Sequence, residues 1–253
     1  MSARHANRTQ APRDHAALAV LLSSATVILL HSQPPNGRRQ PVTAIQLPPR
    51  SPQEHASAPS QVPDTPPPAA AIDLTGLRWA DFHGIALPAS PQDGPRDTRG
   101  GLASGFTDTP SGALLAAINI GVRTAAPWGP AIYAPTITRQ VTGPDQAALL
   151  HNQAAAYGQL RASAHVRPGQ PAGRGYAAVA AYRLTAYAPA GATIDVVTAG
   201  PGTDGTTVLA TTRIEVIWRL GDWRVVAPPG GDWANAATAI SSLTGYHIFP
   251  GEG

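Results

Sequence analysis

Eleven of the chain's 27 prolines fall between residues 31 and 71. This density limits what the chain can fold into more than any other feature. Proline lacks the N–H that a helix interior or a central strand requires. A stretch this rich in it tends to extended polyproline conformations and buries no core. The folded body is therefore expected to begin at residue 72. Extended at ~3.1 Å per residue, the stretch reaches on the order of 100 Å, the length of a spacer.

Upstream of it, Ala16–Leu30 (AALAVLLSSATVILL) is free of charge. As a helix it spans about 22 Å, against a hydrocarbon core of about 30 Å. Three readings compete. It is a short transmembrane anchor lengthened by residues 11–15, the h-region of a signal peptide behind Arg4, Arg8 and Arg13, or a buried core helix. The proline-rich arm gives a core helix nothing to pack against. No small-x-small cleavage site follows Leu30. The anchor is the preferred reading, with cleavage and secretion as the alternative. Arg38 and Arg39 balance the three upstream arginines, so charge does not orient the segment. The expected organisation is a basic cytoplasmic tail (1–15), an anchor (16–30), a proline-rich linker (31–71) and an extracytoplasmic domain (72–253).

The net charge of +3 lies wholly in the arm. Residues 1–71 hold six arginines against Asp14, Glu54 and Asp64, while residues 72–253 hold equal numbers of arginines and acids. A neutral body offers no basic footprint, so no nucleic-acid partner is expected. The absence of cysteine excludes disulfides, thiolate metal sites and a cysteine nucleophile. There is no lysine, and Ala, Gly and Pro abound, which points to a GC-rich, actinobacterial genome.

Within the body, Asp73–Pro95 reads as an ordered but irregular segment carrying Trp79, Phe82, Ile85 and Leu87. Thr109 as N-cap and Pro110 at the first helical position open a helix with Leu114, Leu115, Ile118 and Val122 on one side. A second helix is expected from Asp145 to Arg161. The period then changes to two. Strands are expected over 176–187 and 193–199, and Val208–Leu220 alternates most clearly of all. A two-residue turn at Gly221-Asp222 would pair Leu220 with Trp223 and Trp218 with Val225, and set Arg219 opposite Arg224. A short helix over 232–243 and an edge piece over 245–249 close the chain. Helices and strands are segregated, so the predicted fold class is α+β: two helices packed on a curved, cone-like, four-stranded antiparallel meander.

The order of elements and the Trp218-x-x-Gly-Asp-Trp-Arg224 hairpin resemble the nuclear-transport-factor-two-like cone fold. Three segments resemble something narrower: Trp79-x-x-Phe-His-Gly-x-x-Leu-Pro-x-Ser90, Gly105-Phe-x-Asp-Thr-Pro-x-Gly-Ala-Leu-Leu-Ala-Ala-x-Asn119 and Val225-Val-Ala-Pro228. They are similar to an actinobacterial family of single-pass membrane proteins found among conjugative-transfer and integrative-element genes. The resemblance covers roughly residues 72–253. It also extends to extracytoplasmic domains of inner-membrane assembly factors in type IV secretion, which bind partner proteins and catalyse nothing. It implies a cytoplasmic N-terminus and a domain outside.

No catalytic, cofactor or metal-binding constellation emerges from the spacing. Gly200-Pro-Gly-Thr-Asp-Gly205 fits G-x-G-x-x-G, but a strand follows it where a dinucleotide site needs a helix, so it reads as a hairpin turn. His83, among aromatic neighbours, reads as a packed histidine rather than a general base. His151, His165 and His247 are scattered without ligand spacing. Candidates for an inward-facing group in a cone-fold enzyme are Tyr176, Tyr182, Asp195 and His165. With Ile194 and Val196 facing inward, Asp195 is expected to face solvent. The five tryptophans read as core and rim packing, and Arg219 with Arg224 as a solvated pair open to an anionic partner. The sequence thus favours a membrane-anchored extracytoplasmic scaffold or assembly protein that is not an enzyme. Its expected partners are the membrane through residues 16–30, proteins of a conjugative-transfer or cell-envelope apparatus, and its own copies; no cofactor is expected. The alternative is a small-molecule binder or a cone-fold isomerase or dehydratase.

Overall fold

The computed structural model describes residues 71–202 and 205–250. The expected anchor at 16–30 and all but the last residue of the expected linker lie outside these. Among the described residues no helix is long and apolar enough to cross a membrane.

The helix opened by Thr109 is α1 (Pro110–Arg123). The Thr109 side chain accepts from the Gly112 N–H at 2.9 Å. Pro110 takes a first-turn position whose missing N–H would have no partner anyway. Every residue of α1 after Pro110 is buried. Its alanines and glycines let neighbours approach on all sides, and at Gly112 an added Cβ would lie 2.1 Å from the Thr107 carbonyl. Helix α2 (Pro130–Gln140) packs beside it, and α3 (Gln146–Ser163) packs against α2. Helix α2 is absent from the sequence reading. Pro127, Pro130 and Pro135 disguise it, yet Pro130 occupies the first helical position and Pro135 forgoes a single backbone bond.

Among the described residues, nine strands follow from the backbone pairing. A separate hairpin joins β1 (Arg78–Phe82) to β2 (Ile85–Ala89). The main sheet holds β3 (Val141–Thr142), β4 (Ala178–Ala188), β5 (Gly191–Pro201), β6 (Thr207–Arg219), β7 (Asp222–Val226), β8 (Ala237–Ile240) and β9 (His247–Ile248). Its order is β3-β7-β6-β5-β4-β9, with β8 also on β6. The pairing of β3 with β7 is parallel and the others are antiparallel.

The expected two helices on a four-stranded antiparallel meander are therefore corrected, among the described residues, to three helices, a seven-stranded mixed sheet and a two-stranded hairpin. Each difference has a local cause. Residues 73–95 look irregular, but His83 (φ +53°) and Gly84 (φ +91°) supply the two positive-φ positions of a tight hairpin turn. Strand β3 is two residues long, too short to show a period. The closing helix expected over 232–243 shrinks to a single 3-10 turn, Trp233–Ala236, and the chain then pairs with β6 as β8.

The β6–β7 turn is shifted by one residue from its expected position. Leu220 (φ +55°) and Gly221 (φ +77°) form it, and Trp218 pairs with Trp223 and Arg219 with Asp222. The observed register removes the predicted Arg219–Arg224 opposition, which like charges disfavour. It also frees Asp222 to accept from the Gly105 and Phe106 N–H groups at 2.9 and 3.2 Å. Leu220, expected on the buried face, is instead 87% exposed. A leucine in left-handed backbone is strained. Leu220→Asn should therefore raise stability by about 1 kcal/mol, because asparagine suits this conformation. Urea unfolding measures the change, and a fall in midpoint would refute this account of the turn.

The inner face of the sheet carries Ile194, Val196, Ile214, Val216, Trp223 and Val225, all buried in the one core that includes α1. The opposite face carries Arg183, Asp195, Arg213 and Glu215.

Candidate functional site

Strand β6 is 13 residues long, and two strands share one of its edges. β7 pairs with Val216–Arg219 and β8 with Leu209–Thr212. Residues 213–215 have no strand partner on that edge. The chain from Ala227 to Ala236 bows away there through two 3-10 turns, Pro229–Gly231 and Trp233–Ala236. The bow is clasped to the helical layer. The Asn152 amide donates to the Gly230 and Gly231 carbonyls at 3.2 and 3.0 Å. Trp233 Nε1 donates to Thr124 Oγ1 at 2.9 Å. Gly231 has φ +66°, and an added Cβ would stand 2.2 Å from the Leu149 nitrogen, so only glycine fits.

The bow leaves a trough of about 590 Å³. Arg183, Asp195, Thr211 and Arg213 line it from β4, β5 and β6, Pro228, Pro229, Trp233 and Asn235 from the bow, and Thr238 and Ile240 from β8. Asp195 is its centre. It stands opposite Arg183 across β4 and opposite Arg213 across β6, so the three side chains form a row across three strands. Arg183 Nη2 reaches Asp195 Oδ2 at 2.7 Å. Arg213 makes a two-point contact, Nε to Oδ1 at 2.9 Å and Nη2 to Oδ2 at 3.3 Å.

The expected solvent-facing Asp195 is thus corrected. Ile194 and Val196 do point into the core, and Asp195 does lie on the opposite face, yet it is only 3% exposed. Two arginines from neighbouring strands cover it. Burial pushes its carboxyl pKa up, but the hydrogen bonds from Arg213 and Arg183 outweigh this and hold it below the usual carboxylate value. Both guanidiniums are in turn raised, chiefly by their hydrogen bonds to Asp195. At neutral pH the carboxylate is ionised and its two oxygens are engaged, so it is a structural counter-ion rather than a proton carrier.

The segment between β8 and β9 crosses this face and brings the Tyr246 ring under the Arg183 guanidinium, 4.6 Å from its centroid. Arg183 Nε and Thr211 Oγ1 are both buried without a hydrogen-bond partner. Both residues line the trough.

The other candidates are spread over the molecule. His83 stacks on Trp128 at 5.3 Å and meets the edge of Phe82 at 4.8 Å. Burial lowers its pKa, which favours a neutral ring at pH 7. The nearby Asp81 carboxylate accepts from the Gly84 N–H at 3.1 Å, closing the turn. Tyr176 is exposed ahead of β4, Tyr182 is buried against Phe249 and His247, and His165 lies two residues past the end of α3. None of the three approaches Asp195 in a shared site. Arg224 donates to the Arg139 carbonyl rather than facing Arg219. Arg123, buried beneath Phe82, has its pKa lowered to about 10 by that burial and donates to the Asn119 carbonyl at 2.8 Å. Among the described residues no three His, Asp or Glu side chains gather as a metal site would require.

Sequence reasoning named Asp195 but missed its partners. Alternation does place Arg183, Asp195 and Arg213 on one face. Their alignment needs the register of three strands, and bulges in β4 between Val179 and Ala181 and between Leu184 and Ala186 hide that register.

Residues 36–247 match a family model described as a domain of unknown function, DUF8175. No curated protein and no solved structure matches the chain.

Proposed function

The chain belongs to the DUF8175 family, and we propose that it serves as a membrane-anchored extracytoplasmic scaffold that binds protein partners through the trough around Asp195. One observation carries this reading. The recessed carboxylate is fully paired with Arg183 and Arg213, so the centre of the trough presents hydrogen-bond donors beside apolar surface rather than a free acid or base. Such a surface suits recognition more than turnover. The charge-free Ala16–Leu30 segment supports an anchor, and the proline-rich stretch behind it supports a spacer. The resemblance to conjugative-transfer and type IV secretion assembly domains supports partners in a transfer or envelope apparatus. A small-molecule reading draws on the same trough, whose volume lies within the range of ligand pockets.

The test is crosslinking in native membranes. The chain has no lysine for amine-reactive reagents, so a photoreactive residue is placed at Thr238 on the trough rim. Crosslinked envelope or transfer-apparatus proteins, recovered by mass spectrometry together with peptides from residues 16–30, are the expected result. Recovery of a soluble, partner-free fragment that starts after residue 30 would overturn it.

A further inference from the structure

We propose that the trough is a receptor for a carboxylate carried by an extended segment of a partner protein. This rests on the partner-binding reading above and specifies its chemistry. Four observations converge on it.

Asp195 holds two guanidiniums side by side and engages only part of each. Arg213 turns its Nε–Nη2 edge to Asp195 and Arg183 turns Nη2. Their side chains remain 58% and 42% exposed, so the outer Nη donors face the trough. A guanidinium fork matches a carboxylate in two-point geometry. With one carboxylate already shared between two cations, the floor retains one excess positive charge. Glu215, exposed at the rim on the same face of β6, offsets that excess through water. With Glu215 counted these four side chains carry no net charge, so the free donor edges rather than an excess of charge would hold the ligand, which suits a monoanion better than a phosphate dianion.

The second observation is the unpaired polar atoms. Arg183 Nε and Thr211 Oγ1, two of the three buried side-chain atoms without a partner among the described residues, belong to residues lining this one trough. A buried polar atom left unpaired is costly, and its presence marks where a hydrogen bond remains to be made. Third, part of the lining contributed by the bow and β8 is apolar. Pro228, Pro229 and Ile240 provide a surface for the side chain next to the bound carboxylate. Fourth, residues 213–215 of β6 lack a strand partner on the edge beside the trough, a short gap bounded by β7 and β8 that can take one or two backbone hydrogen bonds from a segment entering the trough.

The full chain, purified in detergent, is titrated with three N-acetylated hexapeptides of one neutral Ala-Leu-Pro sequence. One ends in a free carboxylate, one is amidated, and one is amidated with a glutamate inside. Fluorescence anisotropy reads binding. A carboxylate peptide should bind about tenfold tighter than the neutral one, as expected for hydrogen bonds to a charged group. Whichever charged peptide binds tighter identifies the source as a chain terminus or a side chain. Arg213→Gln should abolish the preference. Glu215→Gln alters only an exposed rim residue and should strengthen carboxylate binding about twofold by removing a like charge. Equal binding of charged and neutral peptides would overturn the proposal. So would a preference that survives Arg213→Gln, or a Glu215→Gln chain that binds carboxylates no better. The membrane crosslinking experiment separates the two levels. If Thr238 crosslinks to envelope partners and the peptides show no carboxylate preference, the scaffold reading stands and the carboxylate receptor falls. If no partner is crosslinked, the scaffold reading itself falls.

Discussion

Trp223→Ala lowers the unfolding free energy by about 3–5 kcal/mol, the range for removing a fully buried large aromatic. Trp223 has no exposed surface. Its ring meets Trp218 edge-on at 5.3 Å and Tyr187 at 6.5 Å. Its Nε1 donates to the Thr107 carbonyl at 2.8 Å, two residues ahead of the α1 N-cap. The side chain thus ties β7 to the loop that starts the central helix. Truncation opens a cavity and strips that carbonyl of its donor, two costs that add. Trp223→Phe keeps most of the volume and should lose only about 1–2 kcal/mol. Urea denaturation of both variants separates packing from hydrogen bonding, because an unchanged slope with a lowered midpoint reports stability alone. A loss below about 1 kcal/mol for Trp223→Ala would show that β7 is held by something else.

Asp195→Asn is the second large effect, about 2–3 kcal/mol at pH 7. Removing one partner of a buried ion pair costs about 3–5 kcal/mol when both charges are enclosed. The outer faces of Arg183 and Arg213 are wet, and solvent screening reduces the figure. Asparagine keeps the shape but leaves two guanidiniums beside each other without a counter-ion. The pH dependence is distinctive. The folded-state pKa of Asp195 lies below the ordinary value of about 3.9. Its contribution is therefore complete above about pH 4 and is lost as pH falls through the lower folded-state value. The gap between native chain and variant should be flat from pH 5 to 8 and narrow below about pH 4. A gap that widens on acidification would contradict the ionised, arginine-paired state.

What the sequence revealed, and what it hid, follows from the range of each interaction. The start of α1 was legible because Thr109 and Pro110 act within one turn, and β6 because its alternation runs through 13 residues. The β6–β7 turn misled by one residue. Glycine announces positive φ but does not say which side its partner lies on, and Leu220 is an unlikely occupant. Helix α2 was hidden by its prolines, Pro130 at the first helical position and Pro135 in the interior. The separate β1–β2 hairpin was hidden because a histidine fills a turn position usually given to asparagine. The trough was least legible of all. Its acid sits on a strand whose polar face reads as solvated, and its burial comes from Arg183 and Arg213, 12 and 18 residues away in the chain. Separation of that kind leaves no local pattern.

The last strand has a consequence for how the chain is made. His247 and Ile248 pair with Tyr182 and Ala181, and Phe249 packs on Tyr182 and Trp79. During synthesis, β4 emerges long before β9. Throughout that interval Ala181 and Tyr182 offer an uncovered edge, and Trp79 and Tyr182 lack their aromatic cover. An open edge next to bare aromatic rings is the kind of surface that captures neighbouring nascent chains. The hazard of misassembly therefore lasts until β9 closes over that edge of the sheet.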